Sequence, residues 1–380
     1  MSGCTINLRC LDVLRGLLAT YVLLGHCRWL LWCGHTEWLA SSPAPWELPI
    51  GYASALFRFG HEAVIVFFVL SGFFIHLRSA RQLISGRIPR YSAWKFYRRR
   101  WHRLAAPYYT ALLLTCVLDL LGRYWFPNLY FGQSGDALLD SNFARKDFSP
   151  AAVFPGLLLL PSTLGKDFGS NGPLWSIAFE AVFYLAYPIW LRIRCFGLLP
   201  SVGIGCLTSA AGMIFGNGSA FAQIAILYPL WLAGAFLAEA VIRGNSRMPG
   251  WGALLLLIPA SCLMVSGIAA TPLITTLILN MIGALAIVAV AVYSPPVWME
   301  QSLFRAFEYL GVRSYTLYIV HFPIIVLMCA IFIQVNGTRP VHGWYALGGA
   351  SIAIILSLGI YHLVERKFSH SRLRLDPHDA

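Results

Sequence analysis

Mostly apolar stretches about 18 to 25 residues long recur from one end of this chain to the other, and nothing else in it limits the possible folds as strongly. A helix of that length crosses the ~30 Å hydrocarbon core of a bilayer, where a backbone has to satisfy its own hydrogen bonds. The stretches lie near residues 11–33, 60–78, 104–122, 172–191, 197–215, 219–241, 251–268, 271–293, 311–333 and 343–364. The expected fold class is therefore all-α integral membrane, with about ten transmembrane helices. Gly216-Asn217-Gly218-Ser219 and Ala270-Thr271-Pro272 separate neighbouring runs with little polar length between them, and each reads as a tight helical hairpin.

Composition excludes the other classes. Charged residues make up 12% of the chain, about half of the ~25% usual for a soluble domain, while 58% are hydrophobic. The nine cysteines sit mostly inside apolar runs and form no Cys-x-x-Cys pair, so neither a disulfide framework nor a metal site is expected. A net charge of +12 falls between hydrophobic segments instead of along one stripe with interleaved aromatics, which argues for topology and against nucleic acid. With the N-terminus in the cytoplasm, only Arg28, Arg58, Arg123, Arg145, Lys146, Lys166 and Arg339 of the 28 Lys and Arg fall on the outer side. Both termini are accordingly expected to be cytoplasmic. The first span carries Arg15 and His26 and is too long for a cleavable signal. Residues 1–370 are expected to form a single transmembrane domain and 371–380 a short cytoplasmic tail. Too few residues lie outside the spans to bury the core of an appended soluble domain. The longest outward loop, roughly 123–171, contains the apolar stretch Val153–Leu160, which reads as re-entrant or interfacial.

An ionisable side chain inside the hydrocarbon region costs roughly 2.5 to 3.5 kcal/mol on insertion scales, so each one marks a candidate site. His26, Glu180 and His321 fall at a common depth around or just outside the midplane and suggest an internal polar site. Arg15 and His26 are eleven residues apart, which is about 1100° or three turns plus ~20° of helix. They share one face, roughly 16.5 Å apart along the axis. An elongated anionic donor held at Arg15 and reacting at His26 fits this spacing. So does an Arg15 that only anchors the helix at the interface, beside a His26 that bonds a neighbouring helix.

The segment from Leu11-Asp12-Val13-Leu14-Arg15 to His26 resembles the Arg-x10-His signature of the acyltransferase-3 family. Further blocks follow in order. Phe67-Phe68-Val69-Leu70-Ser71-Gly72-Phe73 is similar to the family's second-helix motif, and Arg98-Arg99-Arg100 with Arg103 and Pro107 resembles its basic lead into the third helix. Leu174-Trp175-Ser176-Ile177 with Glu180, Phe183-Tyr184-Leu185 and Pro188 resembles the fourth-helix block. Ser314-Tyr315 with Tyr318, His321 and Pro323 resembles a late-helix block, and Glu365-Arg366 the terminal Glu-Arg motif. Lys367 stands where the family usually has proline, and the esterase-like C-terminal domain of many members has no counterpart here.

The resemblance implies a membrane-bound O-acyltransferase of the bacterial inner membrane. Such an enzyme transfers an acyl group, most often acetyl, from cytoplasmic acyl-CoA to a hydroxyl of an extracytoplasmic glycan or lipid-linked saccharide. Acetyl-CoA is then a donor substrate, and no permanently bound cofactor is expected. Arg15, with Arg98, Arg99 and Arg103, would hold the donor's phosphates. His26 would act as catalytic base or acyl relay, and Glu180 would orient its imidazole. Trp175, Ser176, His61 and His321 are the expected substrate-side residues, with Trp175 placed for stacking on a sugar. Ser71-Gly72 is assigned to helix packing, and Asp119 and Glu239 to the interface. The rival reading is a proton-coupled secondary transporter using the His/Glu layer, which lacks the internal repeat and paired broken helices of that class. The acceptor, which ranges over lipopolysaccharide, capsule and exopolysaccharide, and the oligomeric state stay open.

Overall fold

A computed structural model describes residues 8–89, 91–163, 167–244, 272–293, 299 and 301–369. Its long helices are α1 (Leu8–Leu30), α2 (Gly60–Ile84), α3 (Ala93–Trp125), α4 (Trp175–Phe196), α5 (Leu198–Phe215), α6 (Ala220–Arg243), α7 (Leu273–Tyr293), α8 (Ser314–Asn336) and α9 (Trp344–Ile360). Among the described residues, nine helices are long and apolar enough to cross a membrane. The expected span at 251–268 and the turn at 270–271 lie outside the described residues.

Helix α3 begins eleven residues before the expected span. Ser92 caps it by accepting the Lys95 N–H at 3.3 Å, and its 33 residues extend ~50 Å, longer than the hydrocarbon core. Charge excludes residues from lipid but not from helix, and Arg and Lys are good helix formers. The basic segment is thus a rigid extension of α3. At the α5–α6 turn Asn217 and Gly218 take positive φ of 44° and 72°, and Ser219 caps α6 by accepting from the Ala222 N–H at 3.2 Å, which forms the expected hairpin. Helix α9 continues into a π-helical turn, Tyr361–Glu365, of the kind often found at functional sites.

Lipid offers no hydrophobic drive for helix association, so close packing has to supply it. Helices α2 and α6 meet at Gly72 and Gly234, where an added Cβ would collide with the Trp231 and Val69 carbonyls respectively. Gly72 therefore has the packing role expected for it. Trp190, Trp231, Tyr187, Phe73 and Phe183 fill the same region and are fully buried.

Two carboxylates expected at the interface, Asp119 and Glu239, are buried against neighbouring segments of the protein. Glu239 accepts from Arg194 at 2.8 and 2.6 Å and pairs with His76 at 3.0 Å, joining α2, α4 and α6. Asp119 accepts the Ser170 N–H at 2.7 Å. Sequence position gives depth along a helix but not which neighbour faces it, and removing one partner from such a buried pair costs about 3–5 kcal/mol.

The segment between α3 and α4 is folded. It holds short helices Pro127–Tyr130, Ala137–Phe143 and Pro150–Leu157, and a parallel bridge pairing Lys146 with Asp167 and Asp147 with Phe168. Arg339 ion-pairs with Asp136 and donates to the Trp29 carbonyl at 2.7 Å, which ties the segment to α1. The apolar helix Pro150–Leu157 is ~12 Å long, too short to span, and the Tyr108 and Tyr109 hydroxyls hold it against α3 at 2.8 Å each.

Candidate active site

Helix α1 runs unbroken from Leu8 to Leu30, so Arg15 and His26 keep the common face that their spacing dictates. Each stands in a different environment. His26 borders a cavity of about 310 Å³ at the end of the bundle that carries the α3–α4 segment. At ~30 Å³ per liquid water, this is space for roughly ten waters, or for one compact substituent of a larger molecule. Trp29, His61, Trp175, Tyr318, Phe322 and Lys146 line it with His26.

The His26 imidazole is held by another imidazole. His26 Nδ1 lies 2.8 Å from His321 Nε2, with the ring planes 10° apart. His321 Nδ1 lies 2.9 Å from the Leu317 carbonyl, which only accepts, so His321 carries its proton on Nδ1 and offers a lone pair at Nε2. His26 Nδ1–H then donates to that lone pair. The lone pair of neutral His26 is thereby directed to Nε2, which makes no hydrogen bond among the described residues. Phe322 packs edge-on against the same ring, 4.9 Å between centroids. The arrangement repeats the logic of a catalytic triad, with a base, an orienting partner on its far nitrogen and a fixed acceptor behind that.

Glu180 does not fill the orienting place expected for it. Its carboxylate accepts from the Ser71 hydroxyl at 2.6 Å and from the Tyr184 hydroxyl, deeper along α4 than the cavity wall. Depth put Glu180 and His321 in one layer with His26, but which side chain faces His26 depends on helix rotation. His321, expected on the substrate side, is fully buried behind His26.

On the cavity wall, His61 stacks on Trp175 with centroids 5.7 Å apart and planes 19° apart. Both expected residues are there. Ser176 is buried and donates to the Tyr318 hydroxyl at 2.9 Å, and that hydroxyl reaches the Pro173 carbonyl at 3.3 Å. Ser176 thus fixes Tyr318, which faces the cavity.

Arg15 belongs to a charged cluster at the opposite end. It pairs with Asp12 at 3.4 Å and interacts electrostatically with Arg103, Glu365 and Glu180. Thr316 donates to Glu365, which the π-helical turn presents from the end of α9. Of the basic residues leading α3, Arg98, Arg99 and Arg103 are all exposed, and of these Arg103 interacts electrostatically with Arg15 and Glu365. Arg100, passed over in the sequence, is half-buried over the Phe96 ring at 5.7 Å and interacts with Glu180 and Arg103, its Nε unbonded. Helical spacing sets Arg98 apart, ~140° from Arg103, but leaves Arg99 and Arg100 ~40° and ~60° from it, so only packing against Phe96 distinguishes Arg100.

A profile of the acyltransferase-3 family, described as an acyltransferase domain, matches residues 8–362. Acyltransferase MdmB of Streptomyces mycarofaciens is 31% identical over 137 residues, 35% of this chain. That match spans 29% of the length of the relative. No solved structure matches.

Proposed function

Since this chain belongs to the acyltransferase-3 family, we propose that it transfers an acyl group, most often acetyl, from cytoplasmic acyl-CoA to a hydroxyl of an extracytoplasmic glycan. The observation that carries this reading is the free Nε2 of His26, aimed by His321 and bordering a cavity large enough for one acceptor group.

The chemistry follows from the geometry. The acceptor hydroxyl gives its proton to His26 Nε2 as its oxygen attacks the thioester carbonyl carbon. Positive charge on the imidazolium is shared toward His321 through Nδ1, so the pair stabilises the charge that develops. The carbon–sulfur bond then breaks, the sulfur takes the proton back from His26, and ester and free thiol leave. Arg15, Arg100 and Arg103 would bind the donor's phosphates by charge-assisted hydrogen bonds, with Glu180, Glu365 and Asp12 balancing them while the site is empty. Arg98 and Arg99, exposed on the extension of α3, would assist at its rim. The pantetheine arm would cover the ~16.5 Å from Arg15 to His26 along the shared face of α1. Trp175, His61 and Tyr318 would receive the acceptor.

Orientation is part of the proposal. With a further span in 251–268, both termini fall on one side, the Lys/Arg bias argues that this side is the cytoplasm, and the family resemblance is what supports a bacterial inner membrane. The donor cluster then faces acyl-CoA and the cavity faces the exported glycan. The test is to express His26→Ala, verify insertion, and measure O-acyl esters on the cell's glycans. Loss of the esters is expected; normal acylation would remove His26 from the chemistry.

A further inference from the structure

Proline inside a helix removes one backbone hydrogen bond, because it has no N–H to give to the carbonyl four residues earlier. Prolines 107, 188, 229 and 323 lie inside α3, α4, α6 and α8 and release the carbonyls of Arg103, Tyr184, Ala225 and Ile319. Among the described residues, only the Ile319 carbonyl takes a side-chain donor, Asn171 Nδ2 at 2.9 Å. Asn171 is 3% exposed, and the same Nδ2 donates to Thr115 Oγ1 at 3.0 Å. The Thr115 hydroxyl proton is already directed to the Ala111 carbonyl at 2.8 Å, so both groups facing Nδ2 are acceptors and the amide has one orientation.

The position of this bond gives it a consequence. His321 lies within the weakened turn, between Ile319 and Pro323. Asn171 immediately precedes Gly172 and Pro173, which line the cavity, and Trp175 follows two residues later. Two further bonds join the same stretches, Tyr318 to Pro173 and Ser176 to Tyr318. We propose that Asn171 is a positioning residue for acyl transfer: by capping the carbonyl that Pro323 frees, it fixes the turn that aims His321 at His26 and locks it to the acceptor wall. The catalytic part of this inference rests on the His26–His321 reading above. The bond itself does not.

A double-mutant cycle separates the two. Asn171→Ala is expected to lower kcat roughly ten- to a hundred-fold, as displacements of about 1 Å near a reacting pair do, with the KM for acyl-CoA changed less than about twofold. In the Pro323→Ala background a backbone N–H is restored to Ile319, so adding Asn171→Ala should change kcat less than about threefold. An equal loss in both backgrounds, or full kcat in Asn171→Ala alone, would overturn the proposal. Should Asn171→Ala fail to accumulate, the isosteric Asn171→Asp, which replaces the donor with an acceptor, runs the same cycle. Should Pro323→Ala turn over too slowly to measure, the cycle is read in melting temperature, where the drop caused by losing Asn171 should shrink in that background and an undiminished drop overturns the proposal. If His26→Ala keeps full activity while the melting cycle shows coupling, the capping bond stands and the dyad reading fails.

Discussion

Around His26 the protein gathers rings and neutral partners; Lys146 is the one fixed charge on the described cavity wall. Around Arg15 it gathers Arg100 and Arg103 with Asp12, Glu180 and Glu365. One helix, α1, serves both ends. The contrast follows from what each task needs. A base has to start neutral, and an apolar wall penalises the charged form of an imidazole. Phosphate binding needs permanent cations, and half-buried ones such as Arg15 and Arg100 are held beside balancing carboxylates. Keeping the two apart lets one end hold charge without protonating or displacing the base at the other.

The comparison breaks if the two ends respond alike to mutation, and the effects should fall in a definite order. The largest after removal of His26 itself is expected from His321→Ala, which removes the acceptor for His26 Nδ1–H. Turnover should fall about a hundred-fold with donor affinity unchanged, measured by initial rates and by donor binding in detergent. Glu180→Gln, by contrast, should leave the pH dependence of turnover where it is, since Glu180 touches Ser71 and Tyr184 and not the imidazole pair. Arg15→Ala should weaken acyl-CoA binding roughly ten- to a hundred-fold, the worth of a charge-assisted contact, while kcat at saturating donor falls less. Unchanged donor affinity would remove Arg15 from that site. Trp175→Ala should raise the acceptor KM by up to about tenfold through loss of stacking and leave donor binding intact. A rise in the donor KM instead would merge the two ends.

How much of this was legible in the sequence varies with the kind of contact. The spans and the Arg15–His26 register follow from helix length and the 100° step, which are local properties, and α1 keeps them. His61 and Trp175 were found because each lies at the outer start of a span, and they stack as neighbours on the cavity wall. Partnership across helices was not legible. Depth alone offered Glu180 and His321 equally to His26, and only packing rotates His321 into place. Arg100 was hidden among consecutive arginines, and only its packing against Phe96 distinguishes it. Asn171 is neutral and sits in a loop, and its signal lay elsewhere: Pro323 implies a carbonyl in need of a donor, but not which segment supplies it.

The division of α1 into a binding end and a chemical end is tested most directly by measuring acyl-CoA affinity and acyl-transfer rate on one purified preparation of His26→Ala. Donor affinity within about twofold of the unaltered protein, together with a turnover loss of at least about a hundred-fold, is the expected result. Retained turnover, or donor affinity lost in step with turnover, would contradict it.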